Sequence, residues 1–427
     1  MNFREPQVAV RLMLRVITIA LILGAGCYKG EHSRNGTDTS AEPYCQISIG
    51  SPVALHTNAG KEVLVDASVT ASSGGDLAIF GLPTIVWRDS VGTSADELNT
   101  AIGALAERSG RVEFIAHPQP RAELHVVHAM QDGEDWLVFW IERGMDLVPG
   151  FGTVKSLWEG RWNGDWQSIT RIETTWPEAA LALHGSLVIR SRTGQVHWVF
   201  QSGRRSEGQS VGAPSGLVIL RGDSARWDTQ WIDFAHIQHV RHVRTELGAD
   251  MLFLAHAARE DDRFVRVLSA FPLENPAAAR VWWRLGASNI GNLWVHAVDG
   301  GIQASWLLAE AAGADMRTVL LEQPLLATGP AFSVMKVAQD ADVSLMQMQN
   351  GAFLVAALDR NSHAVARIVA VDGKLSRTSC STDVAGALTG GFLHLLPDSA
   401  HAWLVAPVLR SGRPTTALMR GIIFLKS

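Results

Sequence analysis

From residue 63 to the end, the chain alternates short apolar runs with polar turns, and the pairs of runs recur. A strand pattern, a tight turn and a strongly apolar strand pattern form each unit. The clearest copies are LHVVHAMQDGEDWLVFWIE from Leu124, GSLVIRSRTGQVHWVFQ from Gly185 and HVRHVRTELGADMLFLAHA from His239. Three more follow: LWVHAVDGGIQASWLLAE from Leu293, VSLMQMQNGAFLVAAL from Val343 and GFLHLLPDSAHAWLVAPVL from Gly391. A first copy, VLVDASVTASSGGDLAIFGL, starts at Val63. Asp132-Gly133, Asp299-Gly300 and Asn350-Gly351 are hairpin turns, because their backbones accept positive φ. Gly74-Gly75, Gly194 and Gly248 serve three other copies, and Ser399 follows Pro397-Asp398 in the last.

A large residue is expected to open the second strand of each copy: Leu77, Trp136, Trp198, Met251, Trp306, Phe353 and Trp403. Their spacing is roughly 50–60 residues, which leaves room for two further strands per unit. SLWEGRWNGDWQSITRI from Ser156 and GLVILRGDSARWDTQWIDF from Gly216 supply them, each as strand, polar turn and strand with a Trp. ARIVAVDGKLSRTSC from Ala366 has the same shape without the Trp. Seven copies of four strands predict an all-β, seven-bladed β-propeller over residues 45–427. A sandwich lacks such a recurring unit, and solenoid coils are shorter.

The last copy ends on a third strand, TALMRGIIFLKS, with nothing left for a fourth. Cys45-Gln46-Ile47-Ser48-Ile49 is expected to fill that place from the other end of the chain and cover the exposed edge.

Composition adds export. Arg4, Arg11 and Arg15 precede the apolar run Val16–Leu23, and Gly24-Ala25-Gly26 follow it. This is the order of a secretory signal over residues 1–26, too short an apolar run to span a bilayer. The next residue is Cys27, and the stretch resembles a bacterial lipobox, although Gly24 stands where that family has Leu. The resemblance implies a diacylglycerol on Cys27 and, since Tyr28 is not Asp, an outer-membrane destination. An ordinary secretory cut before Cys27, giving a secreted or periplasmic protein, is the alternative. Residues 27–44 have no apolar periodicity and read as a flexible tether. Membrane attachment is expected through the N-terminal lipid only.

With Cys27 lipidated, Cys45 and Cys380 remain, and an oxidising compartment favours their pairing. The repeat sets both on outer strands of neighbouring blades, so a disulfide is expected; two free thiols are the alternative.

The whole chain carries a net charge of −5, and the leader's three Arg and one Glu leave about −7 on the exported part. That balance argues against a nucleic-acid partner. No metal or cofactor signature is present: H-E-x-x-H and C-x-x-C are absent, and Gly60-Lys61 is followed by Glu62 rather than Ser or Thr. Gly208-Gln209-Ser210-Val211-Gly212 matches a nucleophile elbow, but Ala213-Pro214-Ser215-Gly216 cannot start the helix that motif requires. Glu260-Asp261-Asp262 and Asp340/Asp342 are acidic groups at expected turns.

Four histidines recur on the first strand of their units: His128, His242, His296 and His394. If that strand is innermost they are channel-lining candidates, able to hold a metal or an anion. The competing reading makes them packing residues whose rings bond a neighbouring strand. His239 and His242, three apart on a strand, face opposite ways.

The strand–turn–Trp units from Ser156 and Gly216 resemble the sialidase/BNR-like propeller superfamily. The resemblance covers architecture only: the full Ser-x-Asp-x-Gly-x-x-Trp box is absent, and no set of arginines matches that family's carboxylate grip, so no catalytic residue carries over. The expected role is a binding or scaffold module for protein or glycan at the cell envelope, not an enzyme. The alternative is a glycan-active hydrolase using loop carboxylates at the channel mouth.

Overall fold

The computed structural model describes the strands and most tight turns between residues 44 and 426. Residues 1–43 and several connections, among them 81–100, 144–153, 205–215, 370–380 and 385–393, lie outside the described residues. The signal peptide, Cys27, the rest of the tether up to residue 43, Cys380 and the Gly208–Gly212 motif fall there, while Tyr44, expected in the tether, begins the first strand.

The described part is all-β, with one 3₁₀ turn at Pro276–Ala278. The chain opens with β1 (Tyr44–Ile49) and β2 (Val53–Ala54), both of which join the last sheet. Sheet 1 holds β3 (His56–Thr57), β4 (Ser68–Ala71), β5 (Leu77–Phe80), β6 (Ala101–Ala106) and β7 (Arg111–Ala116). Sheet 2 is β8 (Leu124–Asp132), β9 (Asp135–Arg143), β10 (Val154–Trp162) and β11 (Trp166–Ile172). Sheet 3 is β12 (Ala180–Arg190), β13 (Val196–Arg204), β14 (Gly216–Asp223) and β15 (Arg226–Asp233). Sheet 4 is β16 (Ala235–Arg244), β17 (Asp250–Glu260), β18 (Arg263–Pro272) and β19 (Arg280–Gly286). Sheet 5 is β20 (Ile290–Val298), β21 (Gly301–Glu310) and β22 (Gly313–Glu322), with β23 (Leu326–Ala327) and β24 (Phe332–Val337) both on β22. Sheet 6 is β25 (Asp342–Gln347), β26 (Phe353–Leu358), β27 (Ala364–Val369) and β28 (Ser381–Val384). Sheet 7 is β29 (His394–Asp398), β30 (His401–Arg410) and β31 (Arg413–Lys426), completed by β1.

Sheets 2, 3, 4 and 6 are antiparallel meanders of four strands; sheet 1 adds β3 as a short parallel pair to β7, sheet 5 places β23 and β24 both on β22, and sheet 7 takes β1 and β2 on β31. Gly133 and Gly248 turn their hairpins at φ 67° and 79°, in the left-handed region that glycine enters without steric cost. The expected pairing of the first strand with the last is present. Tyr44 lies opposite Lys426 and Ile49 opposite Gly421, in unbroken antiparallel register. This pairing covers the edge that β31 would otherwise expose.

Period-two alternation explains how the sheets stack. On β9, Trp136, Val138 and Trp140 pack against Ile102 and Ile115 of sheet 1. Their neighbours Leu137, Phe139 and Ile141 pack against Trp198, Phe200 and Leu220 of sheet 3. Sheets 3 and 4 meet through Val199, Leu217, Ile219, Leu252 and Leu254. Sheets 4 and 5 meet through Met251, Phe253, Ala304 and Trp306. The middle strands are buried on both faces and so read as continuous apolar runs, which is why the repeat stood out.

The large-residue marker needs correction. Trp306 lies in the middle of β21, which begins at Gly301, rather than at its start. Trp136, Trp198 and Trp306 face the preceding sheet, whereas Met251 faces the following one. A shift of one position along a strand reverses the face, so a common distance from the turn did not fix a common packing role.

Glycine makes room for the repeated tryptophans. A Cβ on Gly160 would sit 2.9 Å from the Trp140 ring and closer still to Trp166, and one on Gly216 would overlap Trp231. The rings thus lie over bare backbone, a use of glycine that a strand interior otherwise disfavours.

Candidate functional site

Strands β4, β8, β12, β16, β20, β25 and β29 each open the antiparallel run of a sheet, and each bonds within its sheet to one strand only. They touch in succession: β4 with β8, β8 with β12, β12 with β16 and β16 with β20, then β25 with β29 and β29 with β4. Unpaired backbone edges of these strands are thus brought together, and the recurrent histidines lie on them.

Between β12 and β16 lies a cavity of about 310 Å³. Residues 186–189 of β12, Val199 and Gln201 of β13, and Val240, Arg241 and His242 of β16 line it. On the other side of β16 the wall is closed. Arg241 donates from Nε to the Leu293 carbonyl at 2.6 Å and from an Nη to Asn292 Oδ1 at 2.7 Å, both on β20. Its other Nη donates to the Val240 carbonyl at 2.9 Å. His239 adds bonds to the backbone of Ile290 and Gly291, and burial pushes its imidazole down to about 4.

His128 on β8 is hydrogen-bonded through Nε2 to the Ser186 hydroxyl of β12 at 2.6 Å, and its ring stands edge-on to Trp198. Burial pushes this imidazole down to about 4, so the ring is neutral at pH 7. His242 is bonded to Asp250 Oδ1 at 2.9 Å. Asp250 also accepts from Arg244 Nε at 2.9 Å and from the Arg192 amide at 2.8 Å. Burial works to raise the Asp250 carboxyl, but these bonds outweigh it and hold the group below the usual carboxylate range. Burial lowers His242, partly countered by Asp250. His296 on β20 is pushed down to about 4 by burial. The His394 side chain lies outside the described residues.

His128 and His242 do not converge. His128 points at sheet 3 from sheet 2, and His242, on the same face as Val240, points at sheet 3 from sheet 4. They straddle β12. Among the described residues no three His, Cys, Asp or Glu side chains group at metal-binding distance. The bonds of His128 and His242 are those of packing residues tied to polar neighbours.

Near the hairpin turns a second polar layer links sheets. Asp132 accepts from Arg161 at 2.7 Å and pairs with Arg190 of sheet 3. The Arg190 hydrogen bond is the leading cause of its lowered carboxyl. Arg244 in turn donates to the Arg190 carbonyl at 2.6 Å. Asp250, Ser186 and the bonding of Arg241 were not anticipated from sequence, because their partners lie 50 or more residues away or across a hairpin. The one available signal was the pair of arginines, Arg241 and Arg244, on one strand.

No family model matches the chain, and no curated protein matches it. Solved structures do resemble it. A protein of unknown function from Dyadobacter fermentans aligns at 11% identity and TM-score 0.48, over 88% of this chain and 99% of that one. A polysaccharide lyase, an ulvan lyase, aligns at 9% identity and TM-score 0.43, over 70% of this chain and 81% of that one. Trypanosoma rangeli sialidase aligns at 8% identity and TM-score 0.40, over 74% of this chain and 56% of that one.

Proposed function

We propose that this chain is an exported, lipid-anchored, seven-bladed β-propeller that binds protein or glycan at the bacterial cell envelope. Support for the ring comes from seven successive antiparallel sheets, face-to-face packing of sheets 1 to 5, contact of first strands from β25 through β29 and β4 to β20, and β1 closing sheet 7. In such a ring the first strands line a central channel.

The observation that carries the binding role is the cavity between β12 and β16. Among its described lining residues there is no carboxylate, and the one permanent cation, Arg241, turns its guanidinium away to β20. A glycan hydrolase needs two carboxyl groups about 5–9.5 Å apart. A mixed apolar and polar wall, with Leu187, Ile189, Val199 and Val240 beside Ser186, Gln201 and His242, suits recognition instead. Retention of immobilised envelope glycans and proteins by the purified chain, without release of reducing ends, is the expected result. Reducing-end release would replace this reading with the hydrolase.

The anchor and a disulfide belong to the same proposal. Strand β1, which holds Cys45, lies against β28, whose first residue Ser381 follows Cys380 in sequence. Intact mass of the protein purified from membranes tests both features. It is expected to show Cys27 as a diacylated N-terminus and two hydrogens fewer than the thiol form. A mass with the leader removed but no lipid, or with two free thiols, would remove the corresponding feature.

A further inference from the structure

We infer that the cavity between β12 and β16 binds an uncharged, hydroxylated ring, as in a neutral hexose, whose hydroxyls hydrogen-bond to His242 and Gln201. This rests on the binding role argued above and adds the chemical class of the ligand.

The state of His242 is the first argument. Asp250 sits below the usual carboxylate range, so at pH 7 it is ionised and only accepts hydrogen bonds. The proton in their shared bond is therefore on His242 Nε2. Burial keeps this imidazole neutral, which leaves Nδ1 as a bare acceptor. Nδ1 has no partner among the described residues and is not sealed from water. Gln201, on β13, shares the face of Val199 and so points toward sheet 4. Its carboxamide has no hydrogen-bond partner among the described residues and is likewise not sealed from water. Two polar groups with unused bonding capacity thus line one cavity.

Charge is the second argument. No carboxylate is among the described lining residues, and Arg241 turns its guanidinium to Leu293 and Asn292 of β20. The charge of Asp250 is already met by Arg244 and the Arg192 amide. A charged ligand would shed water here without gaining a counter-charge. A hydroxyl, by contrast, can donate to Nδ1 while its neighbour accepts from the carboxamide N–H. Shape is the third argument. Ile189, Val199 and Val240 are buried and form an apolar floor, while Leu187, Gln201 and His242 are half-buried and line the open part. A pyranose ring presents the same division between C–H faces and hydroxyls. The volume of about 310 Å³ lies at the small end of ligand pockets and suits one ring.

Ligand-observed NMR titration of the full mature chain with methyl glucoside, methyl galactoside and methyl mannoside, and with glucuronate as the charged comparison, tests the proposal. At least one of the three glycosides is expected to bind saturably, and more tightly than glucuronate. Gln201→Leu and His242→Phe are each expected to weaken that binding roughly three- to tenfold, the size of one neutral hydrogen bond. Gln201→Leu is the sharper variant. Its carboxamide has no partner among the described residues, so the urea midpoint is expected to stay in place while affinity falls. His242→Phe keeps a flat ring at the wall, and Asp250 retains Arg244 and the Arg192 amide. Binding of none of the three glycosides, tighter binding of glucuronate, or unchanged affinity in either folded variant would overturn the proposal. Should one variant not fold, the other variant and the unmodified protein's preference still decide. Retention of envelope glycan or protein without glycoside binding would refute this inference alone. Glycoside binding without retention of any polysaccharide or protein would refute only the broader role.

Discussion

Lowering the pH from 7 to 4.5 is expected to remove most of the folding stability. His128, His239 and His296 are each pushed by burial from the ordinary 6.5 to about 4. Between those values the unfolded chain binds a proton at each ring that the folded chain does not. Stability therefore rises with pH across this window and falls as pH drops through it. At pH 4.5 each ring contributes a loss of about 2–3 kcal/mol, before any discount for partial solvent contact. Three such losses approach the total stability of an ordinary domain, about 5–15 kcal/mol. His242 and His256 are lowered mainly by burial and act with the same sign. Asp132 and Asp250 sit below the carboxylate range, so their contribution is lost only at still lower pH. Urea titrations followed by Trp fluorescence at the two pH values check this. A midpoint that does not move would mean that these rings are solvated in the folded protein.

Trp198→Ala is expected to cost about 3–5 kcal/mol, the range for emptying a fully buried aromatic site. Trp198 is fully buried in the sheet 2–sheet 3 interface. Its ring meets Phe200 at 4.7 Å and Phe139 at 5.6 Å between centroids. No neighbour can collapse into the gap, because both belong to paired central strands. Trp198→Phe is expected to recover a large part of the loss. A second consequence follows from the edge-on contact with His128. Without the indole, water reaches that imidazole and its titration moves back toward 6.5. The variant should therefore be less stable at pH 7 and lose less on acidification than the parent. Equal acid sensitivity in both proteins would show that Trp198 does not shield His128.

The repeat was legible because its punctuation is local. Asp132-Gly133 and Gly248 mark hairpins by backbone chemistry alone, and the doubly buried β9, β13 and β17 are continuous apolar runs. The closing strand was legible by counting, since the last unit lacked a partner for β31. The histidines were less so. Their positions on first strands were read correctly, but the direction of each side chain depends on register, and His128 and His242 reach opposite sides of β12. Arg241 illustrates the same limit. Its three acceptors are fixed by the approach of β20 to β16, which no local pattern encodes. Trp306 was misplaced because an extra stretch of β21 precedes it, so distance from the turn differed from the other units.

The binding role is tested most directly by one experiment on one sample. The purified mature chain is mixed with envelope polysaccharide, and bound polymer and new reducing ends are both measured over time. The account predicts saturable binding with polymer length unchanged. Steady accumulation of reducing ends, or polymer that stays entirely in the unbound fraction, would contradict it.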